Sequence, residues 1–197
     1  MACVQSLRYK FAMTALPHQP MTVEEYLAWS EAGDGRFELV NGVVVEQSAE
    51  RAAHAEVKFA AAMALAQGIR DKKLDCHVLP DGMAVRVGPR TVYEPDAMIY
   101  CGPKLPPGAL VVENPLIVIE VLSPSTGRND ASRKLAGYFS LASVRHYLII
   151  DPDEPLVIHH ARGDDGIVRT AILREGAVLI DPPGLTLAFA DIYPAAV

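Results

Sequence analysis

The sequence predicts an α/β (α+β) protein: a central mixed β-sheet flanked by helices, with an N-terminal hairpin and C-terminal antiparallel strands. Three observations predict it. Short runs rich in β-branched and aromatic residues, such as "CHVLP", "PDAMIYC" and "PLIVIEVL", are separated by Gly and Pro. An alanine-rich stretch over residues 51–73, "RAAHAEVKFAAAMALAQGIRDKK", carries Val57, Ala61, Ala64 and Leu65 at helical spacing and favours a long helix. A further helical segment, "DASRKLAGYFSLA", lies between the runs "VIEVL" and "YLIID". Those two strands are therefore expected to lie parallel across a crossover, which makes the sheet mixed.

Residues 1–20 break their short apolar runs with Arg8 and Lys10 and read as a flexible tail, while residues 21–197 read as a single domain. Thr22 followed by Glu25 is a capping-box pair, and Tyr26, Leu27 and Trp29 give the short helix behind it an apolar side before Gly33. "RFELVNGVVVEQ" reads as two strands joined by Asn41-Gly42, the dipeptide that best tolerates the positive φ angles of a tight hairpin. The long helix follows, then "CHVLP", "MAVRV", "PDAMIYC" and "PLIVIEVL" as short strands. The Pro/Gly-rich "CGPKLPPGA" at 101–109 is the expected mobile loop. After the second long helical segment come "RHYLIID", and then "LVIHHAR", "IVRTAIL" and "AVLI" as antiparallel strands.

With 197 residues, 50% of them hydrophobic and 21% charged, the chain has the composition of one folded core. The net charge of -6 argues against a protein that coats nucleic acid non-specifically. It leaves room for an enzyme that meets phosphates through a metal ion and a few local basic residues. Cys3, Cys76 and Cys101 are odd in number and lack C-x-x-C spacing, so neither a disulfide framework nor a zinc knuckle is signalled. A reducing, cytoplasmic setting is the corresponding expectation. No apolar run reaches the roughly 18 residues of a membrane span, so no membrane association is expected.

The chemistry concentrates in carboxylates set into strands. Alternation along "PLIVIEVL" puts Leu116, Val118, Glu120 and Leu122 on one face and Ile117, Ile119 and Val121 on the other. Both faces are apolar, so this is expected to be a central strand buried on both sides, and Glu120 needs a compensating partner. Asp96 opens a second apolar strand, sharing a face with Met98 and Tyr100. Two such acids on neighbouring strands are the minimal carboxylate set for a hard divalent cation such as Mg²⁺. Glu38 is a third acid, placed opposite Phe37 and Leu39 in the hairpin. Each also has a structural reading, as an acid paired with a basic residue or exposed at a strand end. His54 is partly turned toward the core of its helix, either as a hydrogen-bonded core histidine or as a contact to metal-bound water. Arg51, Lys58, Arg128 and Arg133 are candidate contacts to a nucleic-acid backbone or ordinary surface charge.

These blocks, "RFELVNGVVV", the helix with His54, "EPDAMIY", "PLIVIEVLSPSTGRNDASRKLAGYFSLASVRHYLIIDP" and "PPGLTLAFADIYP", resemble the Uma2 family, also called DUF820, of restriction-endonuclease type. The likeness runs from about Met21 to Pro194 with the blocks in order. That family is similar to the PD-(D/E)XK nuclease superfamily, whose core is a mixed sheet flanked by helices and whose acids hold Mg²⁺ for phosphodiester hydrolysis. The resemblance implies that Pro95-Asp96 is the PD element, that Glu120 is the acid of (D/E)XK, and that Glu38 is the extra N-terminal acid. The sequence departs from the pattern where a lysine is expected, two residues after Glu120, because Leu122 stands there. Within the resemblance Lys134 is the replacement, although a surface pair with Asp130 is its plainer reading.

The implied protein is a Mg²⁺- or Mn²⁺-dependent endonuclease acting on nucleic acid, DNA in the first instance. Asp96 and Glu120 would bind metal, with Glu38, Lys134 and, more weakly, His54 completing the site. A homodimer is expected because cutting both strands of a duplex needs two sites. The rival reading is a catalytically degenerate nuclease fold serving as a binding or assembly module.

Overall fold

The computed structural model describes residues 16–17, 19–32, 35–123 and 128–193, with the backbone alone at 128–130. The expected tail over 1–20 and the turn residues 124–127 fall largely outside these. Helix α1 (Val23–Ala32) begins where the capping pair sets it: Thr22 N–H donates to Glu25 Oε2 at 2.8 Å, and Glu25 N–H to Thr22 Oγ1 at 3.2 Å. Strands β1 (Phe37–Val40) and β2 (Val43–Glu46) form the expected hairpin, with Asn41 at φ 51° and Gly42 at φ 87°. The long helix is α2 (Ala52–Lys72).

Next come β3 (Cys76–Pro80), β4 (Val85–Gly88), β5 (Thr91–Tyr93), β6 (Ala97–Cys101) and β7 (Ile117–Val121). Helix α3 (Arg128–Ser140) leads to β8 (His146–Ile150), β9 (Val157–Arg162) and β10 (Val168–Leu173). The chain closes with β11 (Ala177–Ile180), β12 (Leu185–Ala188) and the short α4 (Phe189–Ile192). Six strands form one sheet in the order β10-β9-β8-β7-β6-β3. β7 lies inside it, parallel to β8 and antiparallel to β6, so the sheet is mixed as expected and α3 is its crossover.

The hairpin is larger than the sequence indicated. It grows into a four-stranded sheet, β2-β1-β5-β4, because three-residue β5 pairs with both β1 and β4. A run that short leaves no readable alternation. β12 and the single-turn α4 were not read from the sequence either, and β11 with β12 makes a separate two-stranded sheet.

Two apolar layers fix β7 in place. On one face Val57, Ala61, Leu65 and Ile69 of α2 pack on Ala97, Ile99, Ile117, Ile119 and Leu148. On the other, Tyr138 of α3 with Val85 and Tyr93 of the second sheet covers Met98, Val118, Tyr147 and Ile149. Each such burial contributes about 1.5–3 kcal/mol, so Glu120 is fixed between layers that do not solvate it. α3 approaches β5 closely at Gly137, where an added Cβ would lie 2.7 Å from Tyr93 Cε2. That approach carries Lys134, one turn earlier, over the end of the sheet. α1 packs its Val23 and Tyr26 against Phe37, Leu39 and Val92 in a third cluster.

The loop after β6 is anchored at Leu105, whose N–H donates to Tyr100 Oη at 3.1 Å, and just beyond its end, where Ala84 N–H donates to Leu110 O at 3.0 Å and Val112 N–H to Ala84 O at 2.9 Å. One expectation is corrected. Cys76 and Cys101 face each other in the β3–β6 register and form a disulfide, against the expectation that the cysteines stay unpaired. They are 25 residues apart, and only strand register brings them together. The ground for a reducing setting goes with it. No described helix is long and apolar enough to cross a membrane.

Candidate active site

Because β6 and β7 run antiparallel with Ala97 opposite Ile119, one further step of register sets Asp96 opposite Glu120. The site therefore lies where β6 begins and β7 ends. Glu120 is compensated from α3: Lys134 Nζ donates to its Oε1 at 2.9 Å and its Oε2 at 3.0 Å, and Tyr138 Oη donates to Oε1 at 2.6 Å. Lys134 and Tyr138 are four residues apart and so share one helix face. Lys134 Nζ also lies 2.9 Å from Glu38 Oε1, which in turn accepts the Glu94 N–H at 3.1 Å. Glu38 reaches this point because Phe37 and Leu39 turn to the α1 cluster, leaving it on the side of Val40.

Three of the expected residues thus meet, and Lys134 and Tyr138 meet the electrostatic need that the sequence reading had given to a metal. The surface pairing with Asp130 lies outside the described side chains. Burial raises the Glu120 pKa, opposed by Lys134 and reinforced by the Asp96 charge. Burial likewise raises that of Glu38, again opposed by Lys134. For Lys134 burial would lower the pKa, but the Glu120 and Glu38 carboxylates override it and hold it above the ordinary lysine value. The ammonium stays charged.

The other half of the site is built on Asp96 and His54. Asp96 Oδ2 accepts the Val121 N–H at 2.7 Å and lies 3.6 Å from His54 Nε2. His54 Nε2 is 3.0 Å from Val121 O. A carbonyl only accepts, so this contact puts a proton on Nε2, and in the neutral ring Nδ1 then carries the lone pair. That Nδ1 is buried, has no hydrogen-bond partner, and sits 3.6 Å from Glu50 Oε2. Glu50, His54 and Asp96 each offer a ligand atom, all within 4.8 Å of one another. One imidazole nitrogen with carboxylate oxygens suits a first-row divalent ion such as Mn²⁺, and the carboxylates suit Mg²⁺. Burial raises the Asp96 pKa, opposed first by the Val121 N–H.

Sequence reasoning missed Glu50. The signal that finds it is its i,i+4 spacing from His54 at the start of α2. Lys58 Nζ donates to both Glu50 oxygens at 2.6 Å and to Asp81 Oδ2 at 3.0 Å, while Arg36 pairs with the same two acids. Lys58 is therefore part of an internal ion network, and Arg51 pairs with Asp153 at 2.8 Å. Both halves open into one cleft of ≈ 530 Å³, lined also by Arg36, Ser123 and Arg133. The Arg128 side chain is outside the described residues. Tyr138→Phe removes one donor to a buried carboxylate and is expected to lower stability by about 1.5–3 kcal/mol. Urea unfolding midpoints measure the change.

A mixed sheet between helices, with strand-end acids and a helix-borne lysine in one cleft, is a restriction-endonuclease-like architecture. The chain belongs to the Uma2 family, whose model, described as "Putative restriction endonuclease", matches residues 23–193. Two curated Synechocystis sp. proteins resemble it. The "Uncharacterized protein sll1609" is 26% identical over 160 residues, spanning 80% of this chain and 90% of its own. The "Uncharacterized protein slr1290" is 22% identical over 151 residues, spanning 76% of this chain and 78% of its own. The crystal structure of "a putative nuclease belonging to DUF820" from Anabaena variabilis ATCC 29413 superimposes with a TM-score of 0.69 at 16% identity. It covers 88% of this chain and 97% of that one, and so shares the fold.

Proposed function

We propose that the protein is a metal-dependent endonuclease that hydrolyses phosphodiester bonds in DNA, with Mg²⁺ or Mn²⁺ as cofactor and a homodimer as the working form. The observation that most supports this reading is the buried Nδ1 of His54, which has no hydrogen-bond partner and faces Glu50, in a cluster with Asp96 on the other side of the ring. A buried polar atom left unsatisfied costs about 1–3 kcal/mol, and a divalent ion gives it a partner. Val121 O holds the opposite nitrogen and so fixes both tautomer and ring orientation. Asp96 and His54 would hold the ion, with Glu120 and Glu50 as the neighbouring acids.

A divalent ion held there would supply a Lewis acid for the phosphoryl oxygen and lower the pKa of water. Lys134, held in the charged form, acts as a fixed cation and not as a base. It offsets negative charge developing on the phosphoryl group and keeps Glu120 oriented, while Glu38 anchors it from the second sheet. It takes the place of the strand lysine, since Leu122 packs into the apolar layer beneath α3.

Circular DNA incubated with the protein and Mn²⁺ or Mg²⁺ is expected to be nicked, and EDTA, Asp96→Ala or Glu120→Ala to stop it. Cleavage that survives both substitutions overturns the proposal. The rival binding module draws on one observation: both Glu120 oxygens are already engaged by Lys134. Absence of Mn²⁺ uptake at millimolar concentration would favour that module.

A further inference from the structure

We propose that β10 is a self-association edge, through which two copies of the chain pair antiparallel about a twofold axis at Thr170 and join their six-stranded sheets into one. This gives the homodimer proposed above its surface. Among the described residues β10 is the terminal strand of its sheet and pairs with β9 on one side. Gly163 N–H donates to Ile167 O at 2.9 Å, so 163 and 167 are a hydrogen-bonded pair. Alternation along the ladder makes 161/169, 159/171 and 157/173 the next such pairs. The N–H and C=O groups of Val168, Thr170 and Ile172 therefore point to the open edge.

Open edges are normally blunted by proline, a bulge or a row of charges. β10 has no proline, its register with β9 runs unbroken, and its charge at Arg169 is held by Asp165 at 2.6 Å. It instead exposes Ile167, Val168 and Ile172, at 57%, 36% and 68%. Apolar edge strands of this kind template further pairing.

The occupant follows from the register. An axis at Thr170 sets Val168 against Ile172 of the second copy, Ile167 against Leu173, Arg169 against Ala171 and Thr170 against itself. Each contact is apolar, Thr to Thr, or a long charged chain beside a small residue. The outward groups of 168, 170 and 172 are satisfied on both copies. Moving the axis to residue 169 sets Arg169 against itself, and moving it to 171 sets Ile167 against Glu175. Of these three registers the one at Thr170 is self-complementary, and a twofold pair uses the same patch on both chains.

Light scattering across a concentration series tests this, and it reads mass alone, so its outcome is separate from that of the cleavage assay. The wild-type chain is expected at twice 21.3 kDa. Thr170 is exposed, and Thr170→Lys and Thr170→Glu each place like charges on the axis, so each variant is expected at the single-chain mass. An equimolar mixture of the two is expected to recover the doubled mass. A wild-type chain that stays single at every concentration overturns the proposal, whatever other strand binds there. So do variants that remain dimeric, or a mixture of folded variants that fails to associate.

Discussion

Lys134→Met is expected to destabilise the protein by about 3–5 kcal/mol, because it leaves two buried carboxylates without their shared cation. Methionine keeps the length and apolar stem of the side chain, so packing changes little and the effect reports charge. Glu120 would retain the Tyr138 hydroxyl, and Glu38 the Glu94 N–H. Neither donor carries a charge. The pH dependence has a definite sign. Lys134 is the main influence holding down the Glu38 and Glu120 pKa values, so removing it raises both further above their unfolded value of about 4.3. The deficit is then fully present at neutral pH and shrinks as pH falls through the folded-state values toward the unfolded one. Urea unfolding near pH 7 and near pH 5 measures it, and adding Glu120→Gln should restore part of the loss at pH 7. A deficit that grows on acidification would contradict the assignment of Lys134 as the counter-charge.

Asp96→Asn is expected to move activity and stability in opposite directions. Its amide oxygen can still accept the Val121 N–H, so the local backbone is retained. What disappears is a charge that burial penalises. Because the folded pKa of Asp96 is raised, ionisation weakens the fold at neutral pH, and that penalty fades as pH falls through the folded value toward the unfolded one near 3.9. Calorimetry should therefore find a higher Tm for Asp96→Asn at pH 7, with the gain vanishing in acid. Metal-dependent cleavage should fall by on the order of a thousandfold, the equivalent of several kcal/mol of lost transition-state stabilisation. A variant that is both less stable and fully active would place Asp96 outside the chemistry.

The sequence exposes the features whose cause is local. The capping pair at Thr22 and Glu25, the Asn41-Gly42 turn, and the apolar neighbours on both faces of Glu120 are all written within a few residues. Their positions in the structure match. Parallel pairing of β7 with β8 was also legible, since a helix between two strands leaves few other routes. What stayed hidden depends on register and on meetings between distant segments. Cys76 meets Cys101 because β3 and β6 are aligned residue for residue, and no local pattern encodes that alignment. Tyr138 reads as an ordinary core aromatic, packed at 5.3 Å from Tyr93 and 5.1 Å from Tyr147. Its hydroxyl on Glu120 becomes visible only once α3 is placed over the sheet. Glu50 precedes the periodic part of α2 and looks like a loop acid, so its neighbours Lys58, Arg36 and His54 appear only in three dimensions.

Glu120 and Lys134 are separated by 14 residues, on a strand and the crossover helix that follows it. An acid and its counter-charge carried on one continuous piece of chain are inherited as a unit. Recombination or insertion outside 117–150 transfers both together. Glu38 arrives from a different sheet and has no such linkage. In a lineage that reshuffles its N-terminal segment, the third acid is the member of the cluster that would be lost first.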